Sequence, residues 1–337
     1  ITGSINSYDL VVLRNKMFNL HHLDMTNATF KASSYKFYED YYTSDDRVAA
    51  AAFCNQYKLL SVKLPTSVTS VGANAFANCA GLQTVETQKK LETINNNAFY
   101  RCYKLKEVKL PADGALKSIG SSAFCDCDAL SSISLPASLQ TIAERAFDSC
   151  EALTSVKFAE NGSLQTIADH TFSNCKALTS VKLPDNGSLK SIGSGAFSNC
   201  SSLTSINIPE GIKTIAEGTF SGCSKLNNIS LPSTLTSIQS TYSSRAFGGC
   251  SSLTSISLPI KLATIGNYAF YGSGLTNLHL PAAIRSIGSS AFANCSNLKN
   301  YYIYTVEPTT VENNTFSNYT TATLHVPSLA WSKYYNR

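Results

Sequence analysis

The stretch Ser132–Phe147, SISLPASLQTIAERAF, recurs in similar form as Ser61–Phe76, SVKLPTSVTSVGANAF, and as Ser255–Phe270, SISLPIKLATIGNYAF. Each copy alternates apolar and polar residues up to a Pro, continues with two apolar residues three apart, and ends on a small residue before Phe. This Phe occurs twelve times at intervals of 22 to 27 residues, as Phe53, Phe76, Phe99, Phe124, Phe147, Phe172, Phe197, Phe220, Phe247, Phe270, Phe292 and Phe316. Self-similarity at this period predicts a solenoid, in which each repeat, here called a coil, buries its apolar face against its neighbours.

One coil contains two extended segments. Ile256 and Leu258 alternate with serines, which predicts a strand with one buried face. Pro259 should end that strand because it has no N–H to donate to a ladder. Leu262 and Ile265 then begin a second extended segment. The Ala-Phe element that follows predicts a tight helical or 3-10 turn whose Phe points inward.

Three intervals contain 25 residues instead of the commonest 23, and each gains an Asp-Gly or Asn-Gly pair: Asp113-Gly114, Asn161-Gly162 and Asn186-Gly187. Such pairs favour turns with a positive φ. We expect the two added residues to lie in the turn between the two extended segments, so that the register of the core is unchanged.

The composition excludes several classes of protein. Charged residues make up 15% of the chain and the net charge is +5, which is too mild for a nucleic-acid-binding protein with its dense basic patch. No run of about 18 apolar residues occurs, so no transmembrane segment is expected in this chain. Because the sequence begins at Ile1 and lacks an initiator Met, we expect an export signal or an artificial boundary upstream.

The two ends of the chain differ from the middle. Leu20–Phe30 lacks the Ala-Phe element and follows a candidate amphipathic helix capped by Asp9, so we expect it to shield the first apolar edge. Eleven of the 17 tyrosines and the only tryptophan, Trp331, lie before residue 45 or after residue 300. We divide the chain into three parts of one elongated domain: a cap coil with an insert at 1–50, a repeat array at 51–300, and an atypical last repeat with a C-terminal cap at 301–337.

The full unit reads L-x-x-I-x-L-P-x-x-L-x-x-I-x-x-x-A-F-x-x-C, for example at Leu130–Cys150 and Leu203–Cys223. It closely resembles the leucine-rich repeats of the BspA-like type over roughly residues 50–316. The resemblance implies an α/β fold, a right-handed leucine-rich-repeat solenoid with a parallel β-sheet, short second strands and short helical or 3-10 turns. It also implies an exported or surface-attached bacterial protein, in a family of which some members bind host extracellular-matrix proteins.

Nine of the eleven cysteines lie three residues after the repeat Phe: Cys79, Cys102, Cys127, Cys150, Cys175, Cys200, Cys223, Cys250 and Cys295. Stacked coils would place them in one column with a rise of about 4.8 Å. Disulfides and a zinc site are the alternatives, but stacked side chains point the same way, and zinc needs four converging ligands. We therefore favour a ladder of buried free thiols, with Cys54 and Cys125 out of register and more exposed. Ser273 stands where the repeat has Cys, in a coil that is one residue shorter than the commonest length of 23. We interpret it as a packing adjustment in preference to a ligand site.

Catalysis requires residues of different types that meet in one pocket. The five histidines share no spacing, and no Gly-rich phosphate loop, H-E-x-x-H or G-x-S-x-G motif occurs. The sequence therefore predicts a protein that is not an enzyme, with no catalytic residues, no cofactor and no metal.

The outward positions of the first strand vary between coils and form the main candidate binding surface. In register, this column reads Lys63, Glu86, Lys109, Ser134, Lys157, Lys182, Asn207, Ser230, Ser257, His279 and Tyr302. Its first half is rich in lysine, which would steer an acidic partner. The alternative is an ordinary solvated strand face, on which lysine replaces serine at little cost.

A second candidate is the tyrosine-rich stretch Tyr35–Arg47, which contains Tyr38, Tyr41 and Tyr42. Clustered tyrosines suit interfaces. The alternative is a loop that packs over the first coil.

These observations predict a monomeric, non-enzymatic adhesion or protein-binding solenoid, either secreted or on the cell surface. Its extended sheet face would bind a protein partner, for which a host extracellular-matrix protein is one candidate class. A structural spacer that displays another module is the alternative, and a carbohydrate-binding surface is a third.

Overall fold

The structure is a computed structural model that describes residues 1–17, 19–305, 310–311, 314–316 and 322–328. The chain is a parallel-strand β-solenoid of about 13 turns with very little helix. It folds into two units, Ile1–Lys176 and Ala177–Arg337. Each unit has a front sheet, formed by the first extended segments of the coils, and a back sheet, formed by the second. The hydrogen-bonded ladder of the front sheet is interrupted between Glu107–Lys109 and Ser132–Leu135.

In the first unit, neighbouring strands of each sheet run parallel. The front strands are His22–Asp24, Ser61–Lys63, Thr84–Glu86, Glu107–Lys109, Ser132–Leu135 and Ser155–Phe158. The back strands are Arg47–Val48, Ser70–Val71, Thr93–Ile94, Ser118–Ile119, Thr141–Ile142 and Thr166–Ile167. The alternating sequence therefore forms the predicted strands, with every second residue pointing into the core.

The second unit repeats this arrangement with two interruptions, one between the front strands Asn228–Ser230 and Asn277–Leu280 and one between the back strands Ser191–Ile192 and Thr214–Ile215. Its front strands are Ser180–Lys182, Ser205–Asn207, Asn228–Ser230, Asn277–Leu280, Asn300–Ile303 and Thr323–His325. Its back strands are Ser191–Ile192, Thr214–Ile215, Ser237–Ile238, Thr264–Ile265, Ser286–Ile287 and Thr310–Val311.

The prediction of a front strand at Ile256 and Leu258 is wrong, although Ile256 is buried and the serines on either side of it are exposed, as the alternating pattern predicts. Its coil lies between the longest interval, which ends at Phe247, and the coil shortened at Ser273. Neither neighbouring coil matches its length, and we attribute the interrupted hydrogen-bond ladder to this mismatch.

The repeat phenylalanines form the core of each unit. From Phe53 to Phe292 they are fully buried, as predicted. In the first unit the rings of successive coils stack at 5.2–5.4 Å from Phe53 to Phe172. In the second unit the spacing from Phe197 to Phe316 is 4.9–5.8 Å. The core is therefore a column of parallel rings, with one ring for each coil.

The Ala-Phe segments are turns, and the expectation of helical or 3-10 turns is wrong. The residues two before and two after Phe76, Asn74 and Asn78, have φ values of 56° and 59°. Left-handed residues at this spacing prevent a continuous right-handed helix. The Phe76 N–H consequently donates to Ala98 O of the next coil at 2.8 Å, and not to a carbonyl of its own turn.

The added Gly residues lie between the front and back strands, as predicted, but only one of them needs a positive φ. Gly187 has φ +78°, whereas Gly114 and Gly162 do not adopt the left-handed region. The Gly114 N–H instead closes a turn on Pro111 O at 3.0 Å.

The cysteines are free, as predicted, and the nine in register are fully buried. Within each unit, the thiols donate to the carbonyl oxygen of the Phe in the preceding coil, for example Cys79 Sγ to Phe53 O at 3.1 Å and Cys223 Sγ to Phe197 O at 3.1 Å. Cys54 is half-buried, but the expected exposure of Cys125 is wrong, because its side chain is buried.

The coil that lacks Cys is adjusted by packing. Ser273 is buried, and its Oγ lies 3.3 Å from Cys295 Sγ, so the hydroxyl continues the hydrogen-bonded ladder. Gly274 follows, at the point where the chain is one residue short. A Cβ at this position would collide with Ser251 O, so only Gly allows the shortened coil to pass that carbonyl.

The N-terminal helix, Ser7–Asn15, is capped by Asn6 and not by Asp9 as expected. Asn6 Oδ1 accepts from the N–H of Tyr8, while Asp9 in the first turn accepts from the Asn6 N–H, which completes a capping box. Arg14 near the helix end donates to Ala51 O at 2.6 Å and thereby anchors the helix to the first repeat.

The segment after this helix contributes two strands that pair in parallel with their neighbours. Asn27–Phe30 pairs in parallel with Thr2–Ile5, and His22–Asp24 pairs with Ser61–Lys63 as the first strand of the front sheet. Leu20–Phe30 thus supplies strands as a repeat does, although it lacks the Ala-Phe element.

Candidate interaction surfaces

The charged column of the first unit alternates in sign. Asp24, Lys63, Glu86 and Lys109 lie opposite one another on four successive front strands. Lys63 Nζ lies 3.9 Å from Asp24 Oδ2, and Lys109 Nζ lies 3.9 Å from Glu107 Oε2. The lysine excess inferred from sequence is therefore reduced by two carboxylates, Asp24 and Glu107, that the column analysis omitted.

Asp24 remains charged in this column. Hydrogen bonds from the Thr26 N–H and hydroxyl, followed by the nearby Lys63 ammonium, lower the pKa of Asp24. A positive side chain at Lys63 thus faces a carboxylate that stays ionised at neutral pH.

The remaining lysines of the column lie further along the chain. Lys157 lies opposite Ser134 on neighbouring strands of the first unit. Lys182 belongs to the second unit and ends the strand Ser180–Lys182. Ser134 separates Lys157 from the alternating charges, so the column is not a continuous lysine stripe.

The tyrosine-rich loop is tied to the N-terminal helix. The guanidinium of Arg14 lies 3.7 Å from the ring centre of Tyr38, and Tyr38 pairs with Tyr41 through an antiparallel bridge. Phe37 is buried beneath them, and Tyr42 is exposed. These contacts agree with a loop packed on the first coil and leave Tyr35 and Tyr42 as its exposed tyrosines.

An aromatic stack extends over the front sheet of the second unit. The rings of His279 and Tyr302 lie 4.3 Å apart and tilted by 2°, and those of Tyr302 and His325 lie 4.3 Å apart and tilted by 9°. Tyr304 joins the stack through a hydrogen bond of 2.9 Å between its Oη and His279 Nδ1. The histidines and Tyr304 are exposed, so one edge of this stack is open to solvent.

Within the described ranges, no three His, Cys, Asp or Glu side chains are close enough to hold one metal ion. The single helix of this part of the chain has nine residues, too few to cross a membrane.

The repeat itself identifies the family. A protein-family model for the BspA type leucine rich repeat region (6 copies) matches residues 46–165, 153–244 and 240–332. The chain belongs to this BspA-type leucine-rich repeat family. The BspA-type repeats therefore account for the coils from the first back strand to beyond the last described front strand.

Several solved structures are similar to this BspA-type chain. A leucine-rich repeat protein from Bacteroides ovatus is 26% identical, with 91% of this chain and 92% of that chain covered and a TM-score of 0.42. A leucine rich cell surface protein from Faecalibacterium prausnitzii is 23% identical, with coverages of 94% and 90% and a TM-score of 0.52. The second likeness supports the same fold. A search of curated protein sequences gave no match.

Besides Glu107, the sequence analysis missed two residues that lie in register with the predicted column. His325 lies opposite Tyr302 and completes the aromatic stack, and Asp24 lies opposite Lys63. A sequence signal existed for His325, because Leu324-His325-Val326-Pro327 repeats the apolar, polar, apolar, Pro pattern of a front strand. The predicted C-terminal cap falls largely, with Trp331, outside the described residues.

Proposed function

We propose that this BspA-type protein is a non-enzymatic adhesion or protein-binding solenoid on the cell surface or outside the cell. Proteins of this family are surface-associated, and the repeat fold is typically a binding scaffold without catalysis. A macromolecular partner, with host extracellular-matrix proteins as the first class to test, would bind the front sheet.

The observation that carries this proposal is the stack of His279, Tyr302 and His325. The core positions are similar from coil to coil, whereas the outward positions are free to vary and here carry three rings stacked face to face. Rigid aromatic side chains bury a large area at low entropic cost, and they dominate many protein interfaces. The tyrosine-rich loop at Tyr38, Tyr41 and Tyr42 would be a secondary contact.

Replacing both His279 and Tyr302 by Ser should weaken binding about thirtyfold or more while folding is retained, as expected for a hot spot worth at least about 2 kcal/mol. Binding of the purified protein to a panel of immobilised extracellular-matrix proteins would be measured by surface plasmon resonance. The double variant Asn207→Ser, Ser230→Ala, which changes two exposed positions of the same column, is the matched control. Unchanged binding by the His279 and Tyr302 variant would exclude the stack as the site, and a wild-type protein that binds no panel member would favour the spacer.

Replacing Lys63, Lys109, Lys157 and Lys182 together by Glu should leave the fold intact, because exposed ion pairs contribute only about 0–1 kcal/mol each. For an acidic partner, the association rate at low salt should fall several-fold, and the difference should shrink in about 1 M salt, where charges are screened. The association rates of the wild type and the variant would be measured at two salt concentrations by stopped-flow or surface plasmon resonance. An unchanged rate at low salt would mean that the lysine column does not steer the partner.

A further inference from the structure

An inserted loop in the second unit places an arginine among three tyrosines. The interval from Phe220 to Phe247 is the longest in the chain at 27 residues, and its extra residues form the loop 240–245. The loop is ordered by its own hydrogen bonds: Thr241 N donates to Ser244 O at 3.2 Å, and Ala246 N donates to Ser240 Oγ at 3.1 Å. It therefore holds its side chains in fixed positions on the outside of the coil.

The cluster consists of Tyr242, Arg245, Tyr268 and Tyr271. The Arg245 guanidinium carbon lies 4.0 Å from the ring centre of Tyr271, 5.3 Å from that of Tyr242 and 5.5 Å from that of Tyr268. Tyr242 and Tyr268 meet edge to face at 5.1 Å, and Tyr242 is 69% exposed. The cluster thus presents an open aromatic face next to a positive charge.

The backbone of this cluster is strained. Tyr268 has φ 57°, at the turn position two residues before Phe, where other coils have residues such as Asn74, Asn97, Ser122 and Gly195. A left-handed conformation of a bulky residue is costly and occurs where the surroundings impose it, often at binding sites. Among the described residues, Tyr268 is the only tyrosine, phenylalanine or tryptophan with a positive φ, although Arg145 and His170 adopt the same conformation at the equivalent position of their coils. An Asn would fit the turn with less strain, so packing of the turn does not explain the tyrosine.

The charge around the cluster favours an anionic ligand. Residues 1–176 contain seventeen Lys and Arg against seventeen Asp and Glu, whereas residues 177–337 contain ten against five, which accounts for the whole net charge of +5. Within the described part of the chain, Arg245 has no carboxylate at ion-pair distance. Its Nε donates to Tyr242 O at 3.1 Å, which orients the planar group so that its other nitrogens can meet a carboxylate in the usual two-pronged geometry.

A polar trough begins beside the cluster on the back sheet of the same coils. Its lining includes Gln239, Ser240, Thr264 and Asn267, with Glu217 at one side. Hydroxyl, amide and carboxylate groups of this kind exchange hydrogen bonds with sugar hydroxyls. The hydrogen-bonding groups of this trough suit a ligand rich in hydroxyls better than the apolar side chains that anchor polypeptide interfaces.

We propose that Tyr242, Arg245, Tyr268 and Tyr271 form a binding site for an acidic polysaccharide whose sugars carry carboxylates. The apolar face of a pyranose ring stacks on the exposed tyrosine, Arg245 binds the carboxylate, and the trough binds neighbouring hydroxyls. This site goes beyond the proposed protein-binding function and uses none of the front-sheet residues, so either proposal can fail alone.

The test uses the intact protein and four soluble polymers: polygalacturonate, dextran, dextran sulfate and polyglutamate. Polygalacturonate should bind, and the other three should not show binding that depends on the cluster. Arg245→Ala should weaken polygalacturonate binding about tenfold or more, the loss expected for a charge-assisted pair of hydrogen bonds. Arg245→Lys should recover only part of this loss, because an ammonium lacks the planar fork.

Two further variants separate binding from folding and from general charge. Tyr268→Asn should weaken polygalacturonate binding while the free energy of unfolding stays the same or rises, because Asn accepts the left-handed turn. Lys213→Ala, which removes one positive charge of the same unit outside the cluster, should leave binding nearly unchanged.

Four results would overturn the proposal. The first is a wild-type protein that does not bind polygalacturonate, and the second is a loss of polygalacturonate binding in Lys213→Ala as large as that in Arg245→Ala. The third is binding of polyglutamate with the same dependence on Arg245, and the fourth is cluster-dependent binding of dextran sulfate alone. The third result would assign the cluster to an acidic polypeptide.

Discussion

Raising the pH above about 9 should unfold the protein over a narrow pH interval, because its core thiols cannot ionise while they are buried. Burial raises the pKa of Cys79 and of Cys223 to about 12. Burial also raises the pKa of four further thiols well above the usual value of 9.0: Cys102, Cys127, Cys150 and Cys250.

The fall in stability at high pH follows from the number of protons bound in the folded and unfolded states. Between the ordinary thiol pKa and the raised pKa of the folded state, the folded chain keeps protons that the unfolded chain has lost. The stabilisation is therefore complete below about pH 9 and is lost as the pH rises towards the folded pKa. Each such thiol lowers the free energy of unfolding by about 1.4 kcal/mol per pH unit, so six together give about 8 kcal/mol per pH unit. A total stability of about 5–15 kcal/mol would be lost within one or two pH units.

The pH of unfolding would be measured by circular dichroism, and the ionisation of the thiols by the ultraviolet absorbance of thiolates, both with a reductant present. The two signals should change together. In the double variant Cys102→Ala, Cys150→Ala, the slope of the free energy of unfolding against pH should decrease by the equivalent of about two protons. Cys54→Ala should have a smaller effect, because Cys54 is half-buried and burial raises the pKa of its thiol less strongly. Thiolate absorbance that rises smoothly near pH 9 while the fold persists would contradict the buried ladder.

Replacing Phe99 by Ala should destabilise the first unit by about 3–5 kcal/mol, the usual cost of emptying a fully buried aromatic site. Phe99 is completely buried and stacks on Phe76 and Phe124 at 5.2 Å on both sides. The coils on either side are held by their own backbone ladders, so they cannot collapse freely into the cavity. Urea denaturation followed by circular dichroism would give the change, and Tyr57→Ala, at a 63% exposed tyrosine, should cost little.

A milder pair of substitutions keeps this prediction testable if Phe99→Ala does not fold. Phe→Leu at Phe99 and Phe124, which are in contact, should show a coupling energy of about 0.5–1.5 kcal/mol. The same changes at Phe76 and Phe147, which are not neighbours in the column, should add without coupling. Equal coupling in both pairs would mean that the rings do not act through direct stacking.

The architecture could be predicted because its signal is repeated. The spacing of Ile133, Leu135 and Phe147 recurs in coil after coil, and only a stack of parallel strands buries all copies in one register. The buried free thiols followed from the same argument, since side chains in a parallel column do not face each other.

The errors arose where the structure depends on backbone conformation or on neighbours distant in sequence. The turn at Phe76 looks helical in composition, but Asn74 and Asn78 are left-handed, and the N–H groups bond to the next coil. The helix start was misplaced because Asp9 is a plausible cap until Asn6 is seen to accept its bonds. The strand at Ile256 failed because its neighbours differ in length, a property of three coils that no single coil reveals.

The sequence by itself determined that this chain is a BspA-type solenoid, which residues fill its core and which positions face outward. Periodic apolar spacing is sufficient for that, because every coil must satisfy the same packing. Only the tertiary structure decided which outward side chains meet. It placed Asp24 opposite Lys63, aligned His279 with Tyr302 and His325, and gathered Arg245 with Tyr268 and Tyr271. These contacts join residues of different coils or of an irregular loop, and they depend on register and backbone geometry that the spacing of a repeat does not encode.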